Sequence, residues 1–324
     1  MSYSFRIRFA QSPRYSIETQ ENKLILPVPD KQISVALCSK PEDISIREAS
    51  KLVIKGTGYN SFSAAEIDGQ RIKNALIVAF ARWRIGVDFW QTMTAKTILT
   101  EEGLKQLEQE TGKRVLHDVE GLMVFESNPK PTLAYLEAED ISKWCISHPP
   151  EDILQDFSKA LESAPSLSER ETLAFRLYNS SLFQLFFDAR FLLLIMAIET
   201  LSEYAPRSEK AIAHVDMLIE STKSCRNLRK EDSNSMIGAL RWLKQESIRQ
   251  AGKRLVTERL GDRMYADMNA VKYFSQCYDL RSKLVHGGTP NRKKIEKLVP
   301  QLPLFVSDLL TTPILGPSDT DKTN

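Results

Sequence analysis

The sequence predicts an α+β protein in two parts. A mixed α+β domain is expected over residues 1–148 and an all-helical bundle over residues 149–312, with a disordered tail at 313–324. Three observations lead there. Hydrophobicity alternates with period two near the N-terminus and follows helical spacing through the second half. The paired prolines of His148-Pro149-Pro150-Glu151 stiffen the chain and oppose a helix crossing them. Formal charge divides unevenly: residues 151–220 carry 6 Lys/Arg against 12 Asp/Glu, whereas residues 221–300 carry 18 against 8. The 324 residues suit two domains of ordinary size, and a composition 42% hydrophobic and 27% charged is that of a globular chain able to bury a core.

Ser4-Phe5-Arg6-Ile7-Arg8-Phe9 alternates so that Phe5, Ile7 and Phe9 share one face of a strand. Further strands are expected at Lys23–Val28, Ile33–Cys38 and Leu52–Lys55, divided by Pro, Asp and Ser turn residues. Gly56-Thr57-Gly58-Tyr59-Asn60-Ser61 reads as a turn, because it lacks the third glycine of a dinucleotide-binding loop. From Ser63 to Trp83, residues Ile67, Ile72, Leu76, Ile77, Phe80 and Trp83 recur at helical spacing, and Ser63 with Glu66 suggests a capping box. A helix at Glu101–Thr111 is expected next. Strands at Arg114–Leu116 and Leu122–Glu126 then flank a turn at Val119–Gly121, and residues 127–132 form a loop. His117-Asp118 are adjacent, so they do not face each other in a helix or strand, and they read as a surface turn pair. No catalytic constellation emerges in this half, whose role the sequence leaves open between a sensor and an RNA-binding or regulatory domain.

Beyond the prolines the pattern is helical. Ser166 and Ser168 offer caps, with Glu169 and Glu171 three residues on. Helices are expected at Glu171–Phe183, Asp188–Tyr204, Pro206–Ser221, Asn234–Ala251, Ala266–His286 and Arg292–Leu310, with Cys225–Asn234 a polar loop. Asp188–Tyr204 is apolar nearly all round and is the expected central buried helix. Glu199 lies within it; a carboxylate there either faces water at the helix end or needs a partner. The longest apolar run, Phe191–Ile198, is far short of the ~20 residues that span a bilayer. The opening MSYSFRIRFAQ is polar and alternating, unlike a signal peptide. Cys38, Cys145, Cys225 and Cys277 are scattered, which points away from a zinc site or a disulfide framework and toward a reducing cytoplasm.

The residues with the most chemistry stand in Tyr278-Asp279-Leu280-Arg281-Ser282-Lys283-Leu284-Val285-His286-Gly287-Gly288. A guanidinium holds a phosphate through two parallel hydrogen bonds, and an imidazole moves protons near neutral pH. Together they suffice for RNA cleavage in which the ribose 2′-OH is the nucleophile. The basic excess of residues 221–300 fits a polyanion, or else a solvated helical surface. The spacing alone decides little, since Arg207…His214 in APRSEKAIAH is a second match. Context separates the two. The Arg281 match ends a helix-like segment at a glycine pair, whereas the Arg207 match follows Pro206 and opens an ordinary surface helix. Five residues on an ideal helix leave two side chains about 140° apart. Arg281 and His286 therefore converge only through a distorted last turn or across a dimer.

RSKLVHGG, with the upstream FLLLIMAIETLSEY, resembles the HEPN superfamily, most closely the Apea-like HEPN domains of prokaryotic defence proteins, over about residues 165–312. The resemblance implies a helical, dimeric, metal-independent endoribonuclease without a cofactor, acting as a toxin-like effector of anti-phage defence. Arg281 and His286 would be its catalytic pair and Glu199 the acid that orients Arg281. Two copies would meet about a two-fold axis, with Tyr278, Ser282 and Lys283 near the shared cleft. RNA and a second copy are the expected partners, with no membrane. Some members have lost catalysis, so the alternative is an inactive RNA-binding or protein-interaction scaffold; a scaffold has no need of the intact Arg281/His286 pair. A DNA-binding helical regulator is less well supported, because no helix-turn-helix signature is present.

Overall fold

The computed structural model describes residues 2–89, 105, 108–110, 112–117, 121–129, 131–134, 146–163, 166–184, 187–285 and 298–317. The chain is α+β, with an antiparallel sheet near the N-terminus and helices after it. It divides into two compact units, residues 1–194 with 303–324, and residues 195–302.

The first unit is built on β1 (Tyr3–Gln11). One edge of β1 pairs with β5 (Lys51–Tyr59), which leads to β4 (Ser34–Lys40) and β3 (Lys23–Leu26), all antiparallel. Its other edge is shared, with β8 (Gly121–Glu126) along residues 3–8 and β6 (Val87–Asp88) along residues 10–11. β2 (Tyr15–Ile17) pairs in parallel with β10 (Ile146–His148), and β7 (Val115–His117) with β9 (Thr132–Ala134). Phe5, Ile7 and Phe9 are buried as their alternation requires, and α1 (Phe62–Arg82) packs on the sheet. Gly69 marks the closest approach, because a Cβ there would stand 2.6 Å from Leu122 and 3.3 Å from Phe5.

Several expectations change at this level. Gly56–Tyr59 is not a turn but the end of β5. Gly56 is there because a Cβ would meet the Phe5 ring at 2.2 Å. The cap of α1 is Ser61, whose hydroxyl accepts from the Ala64 amide, rather than Ser63. Ile67 points outward at 67% exposure, off the buried stripe. β7 and β8 do not pair with each other, since β8 finds its partner in β1 and β7 in β9. Most of Glu101–Thr111 lies outside the described residues, as does Asp118.

The expected division at residue 148 also differs from the observed one. β10 runs up to the prolines, and α2 (Pro150–Ser163) starts on the second of them, where the absent amide costs a helix nothing. The apolar face of α2, Ile153, Phe157, Ala160 and Leu161, is buried, and the helix packs on α1. Trp83 donates to Asp156 at 3.1 Å and Arg71 to the Leu161 carbonyl at 2.9 Å. α3 (Glu169–Phe183) opens on the Ser168–Glu171 capping box that the sequence suggests. It is tied to β6 by Asn179, whose Oδ1 accepts from the Val87 amide at 2.8 Å. α9 (Leu302–Leu315) extends three residues past the expected start of the tail, and Arg82 donates to Thr311 and to the Gly316 carbonyl. Apolar faces on α2, α3 and α9 thus find their partners on the sheet side, which no local pattern announces. Residues 318–324 lie outside the described residues.

The unit boundary falls within α4 (Phe187–Leu201). The second unit continues with α5 (Glu209–Ser224), α6 (Lys230–Trp242), α7 (Ile248–Leu260) and α8 (Ala270–Val285). The expected helix Asn234–Ala251 is two helices, and the loop before it ends at Lys230. The break is specified by Ser247 and Gln250, which form a capping box for α7. α8 starts at Ala270 rather than Ala266, because a two-stranded turn precedes it, β11 (Met264–Tyr265) and β12 (Met268–Asn269). Ala266 and Asp267, its central residues, both have positive φ. α7 and α8 approach closely at Gly252, where a Cβ would meet Phe274 at 2.4 Å. Among the described residues no helix is long and apolar enough to cross a membrane.

Candidate active site

The buried stripe of α8 is Ala270, Tyr273, Phe274, Cys277 and Leu280, spaced as one helical face. Tyr273 donates to the Leu298 carbonyl, and burial pushes the Cys277 thiol up to about 12, so it is no nucleophile near neutral pH. This packing sets the rotation of the helix. Tyr278, Arg281 and Ser282 fall at the half-buried margin, and Lys283 is exposed.

At that margin Arg281 meets Glu199. The guanidinium Nε lies 3.3 Å from Glu199 Oε1, and Nη2 donates to Oε2 at 3.4 Å. Only 27% of the arginine side chain and 18% of the glutamate side chain are exposed. The contact is a loose fork: the Nε–Oε1 approach lacks hydrogen-bond alignment, and Oε1 is buried with no hydrogen bond. Burial raises the Glu199 carboxyl above its ordinary value, and Arg281 opposes that shift without cancelling it. Tyr278 sits beside the pair with its ring 5.9 Å from Phe274, and burial and the Glu199 carboxylate both raise its phenol. Of the two local readings of Glu199, a water-facing helix end or a partnered carboxylate, the second is the geometry found. His286, Gly287 and Gly288 lie outside the described residues.

The surrounding charge is more internally paired than composition suggests. Arg249 on α7 makes a two-pronged contact with Asp279, at 2.9 and 3.2 Å. Arg254 bonds Glu246 at 2.7 Å and reaches Glu258, while Lys244 meets Asp216 at 2.6 Å. Only Arg254–Glu258 follows helical i,i+4 spacing; the others join residues that no local spacing relates.

Arg207, the competing arginine, has a different occupation. Its Nε donates to the Leu243 carbonyl at 2.9 Å and its Nη2 to Gln250 at 3.3 Å, while its amide bonds the Lys244 carbonyl. Glu246 returns the contact through the Ala205 amide, and Pro206 bridges Gln245. Arg207 therefore closes the base of the α5–α6 hairpin, and His214 stands exposed on α5. Compared with family models, with curated proteins and with solved structures, the chain finds no match in any of the three.

Proposed function

We propose that the protein is a metal-independent endoribonuclease whose catalytic pair is Arg281 and His286. The observation that carries this reading is the Arg281–Glu199 fork, which holds a guanidinium near the end of α8, five residues before the histidine. In the proposed step the ribose 2′-oxygen attacks phosphorus and loses its proton, and the 5′-oxygen leaves and gains one. The products are a 2′,3′-cyclic phosphate end and a free 5′-OH. His286 serves as base or acid in these transfers, and the Arg281 guanidinium stabilises the charge on the phosphorane. A two-fold homodimer would supply a second copy of the pair to one cleft, with Tyr278, Ser282 and Lys283 around it. The scattered cysteines suit a reducing cytoplasm, and the HEPN resemblance supplies the biological role, a toxin-like effector of anti-phage defence.

A second reading is an inactive HEPN-like scaffold, and the same fork favours it. A carboxylate within 3.3 Å offsets the charge that Arg281 would offer a phosphate. A mixed RNA pool incubated in EDTA separates the two. Under the nuclease reading RNA is cut to cyclic-phosphate ends, DNA is untouched, and His286→Ala abolishes cleavage with RNA binding kept. Arg281→Lys is nearly inactive because lysine loses the fork, whereas His214→Ala cuts normally. No cleavage by the wild-type dimer, or equal cutting of DNA, defeats the proposal.

A further inference from the structure

The sheet of the first unit has a second face, away from α1, and the strand register determines what stands on it. Ser4 and Arg6 of β1 lie opposite Thr57 and Lys55 of β5 and opposite Phe125 and Met123 of β8. A cavity of about 660 Å³ opens on this face. That volume lies within the range of small-molecule sites, roughly 300–1,000 Å³.

The walls of this cavity are chemically divided. Arg6, Lys40 and Lys55 bring three cations, and Glu42 is the one acid among the described lining residues. Arg6 lines the cavity from β1 and is only 3% exposed, the most deeply set of the three. Thr57 and Ser127 add hydroxyl groups, and Gly56 and Gly58 present backbone without side chains. Phe125 and Pro131 supply an apolar wall. Glu42 bonds Lys55, and that ion pair also lines a neighbouring cavity of about 290 Å³.

We infer that this cavity binds a phosphorylated small molecule of nucleotide size, its phosphates toward Arg6, Lys40 and Lys55 and its flat apolar part against Phe125 and Pro131. Inorganic phosphate alone would leave the apolar wall unused. A nucleic-acid strand is recognised along a basic track with repeated stacking platforms, whereas these cations gather in one bounded space with one aromatic ring. The phosphates would take Lys55 from Glu42, exchanging one charged partner for another. The site lies wholly within the first unit and rests on no part of the proposed cleavage.

The test is isothermal titration of the full chain with each ribonucleoside triphosphate, inorganic triphosphate and a short single-stranded RNA. At least one nucleotide should bind, and more tightly than inorganic triphosphate. Lys40→Gln and Lys55→Gln should each weaken it about tenfold. Phe125→Ala should weaken the nucleotide and not the triphosphate. Glu42→Gln, by releasing Lys55, should tighten binding several-fold, a gain that a misfolded variant could not produce. Binding by no nucleotide overturns the inference, as does triphosphate binding as well as the nucleotides, or RNA alone binding. Nucleotide affinity indifferent to Lys40, Lys55 and Glu42 overturns it too.

Discussion

The two units bury their polar groups differently. In the first, Asn179, Ser307 and Thr311 are buried and hydrogen-bonded beside a core of aromatic and branched side chains. In the second, the core formed by parts of α4, α7 and α8 is apolar, and several ion pairs sit at the surface. α6 buries none of its residues, and α5 buries only Val215 and Ile219. Exposed ion pairs contribute about 0–1 kcal/mol each, whereas a buried hydrogen-bonding group left unmatched costs about 1–3 kcal/mol. The first unit is therefore the one that single polar substitutions should unfold. Glu199–Arg281 stands apart among the ion pairs of the second unit, with both partners half-withdrawn from water and one carboxylate oxygen buried without a hydrogen bond.

The largest expected effect tests that pair. Glu199→Gln should lower RNA cleavage about 10²-fold, on the scale of losing one electrostatic stabiliser. It should not lower the urea midpoint of the second unit at pH 7, because burial disfavours the charged carboxylate. A fall in stability with activity intact would make the pair structural and would remove the contrast between it and its surroundings.

Next come the two close approaches. Gly56→Ala in the first unit and Gly252→Ala in the second each force a methyl against a buried ring, Phe5 and Phe274. Each should cost about 1–3 kcal/mol by denaturant unfolding. Equal losses would show that apolar packing is equally tight in both units, so that they differ only in polar burial.

Acidification should then move the units in opposite directions. His148 is buried between Tyr15 and Trp83, and burial and nearby Arg84 lower its pKa from 6.5 to about 4. Its contribution is complete above about pH 6.5 and disappears as pH falls through about 4, so pH 7 to 5 weakens the first unit by about 2 kcal/mol. The Glu199 shift is upward from 4.5, so its contribution is present below that value and is lost as pH rises through the folded value. Segment-resolved hydrogen exchange at the two pH values, corrected for intrinsic rates, should show the first unit loosening and the second not. His148→Phe should remove the loosening. The smallest effect concerns Arg254→Met, which breaks surface contacts to Glu246 and Glu258 and should change stability by less than about 1 kcal/mol.

These differences bear on what could be read from the sequence. Phe5, Ile7 and Phe9, the Ser168–Glu171 box and the burial of Phe191 and Ile198 follow from spacing alone. Glu199 was legible because a carboxylate in an apolar helix calls for a partner. The break between α6 and α7 is also legible, in Ser247 and Gln250, but helix-forming residues on both sides of it mask the box. The turn at Ala266-Asp267 carries no glycine to announce it. The division into units and the cavity on the sheet were not legible. Their walls come from β1, β4, β5 and β8, and from helices whose partners stand far away in sequence.

The closure at Ala205–Arg207 and Leu243–Glu246 has a topological consequence. The chain leaves at Ala205 and returns at Glu246 to a point where the two are hydrogen-bonded to each other. Seen from either side of that junction, everything between is an excursion with coincident ends. Lengthening or shortening it leaves the distance between those ends unchanged, and the entropy of closing a loop changes only slowly with its length. Residues 208–242 thus form a tolerant place for insertion or exchange, where a foreign hairpin could be spliced in without asking α4 or α7 to move.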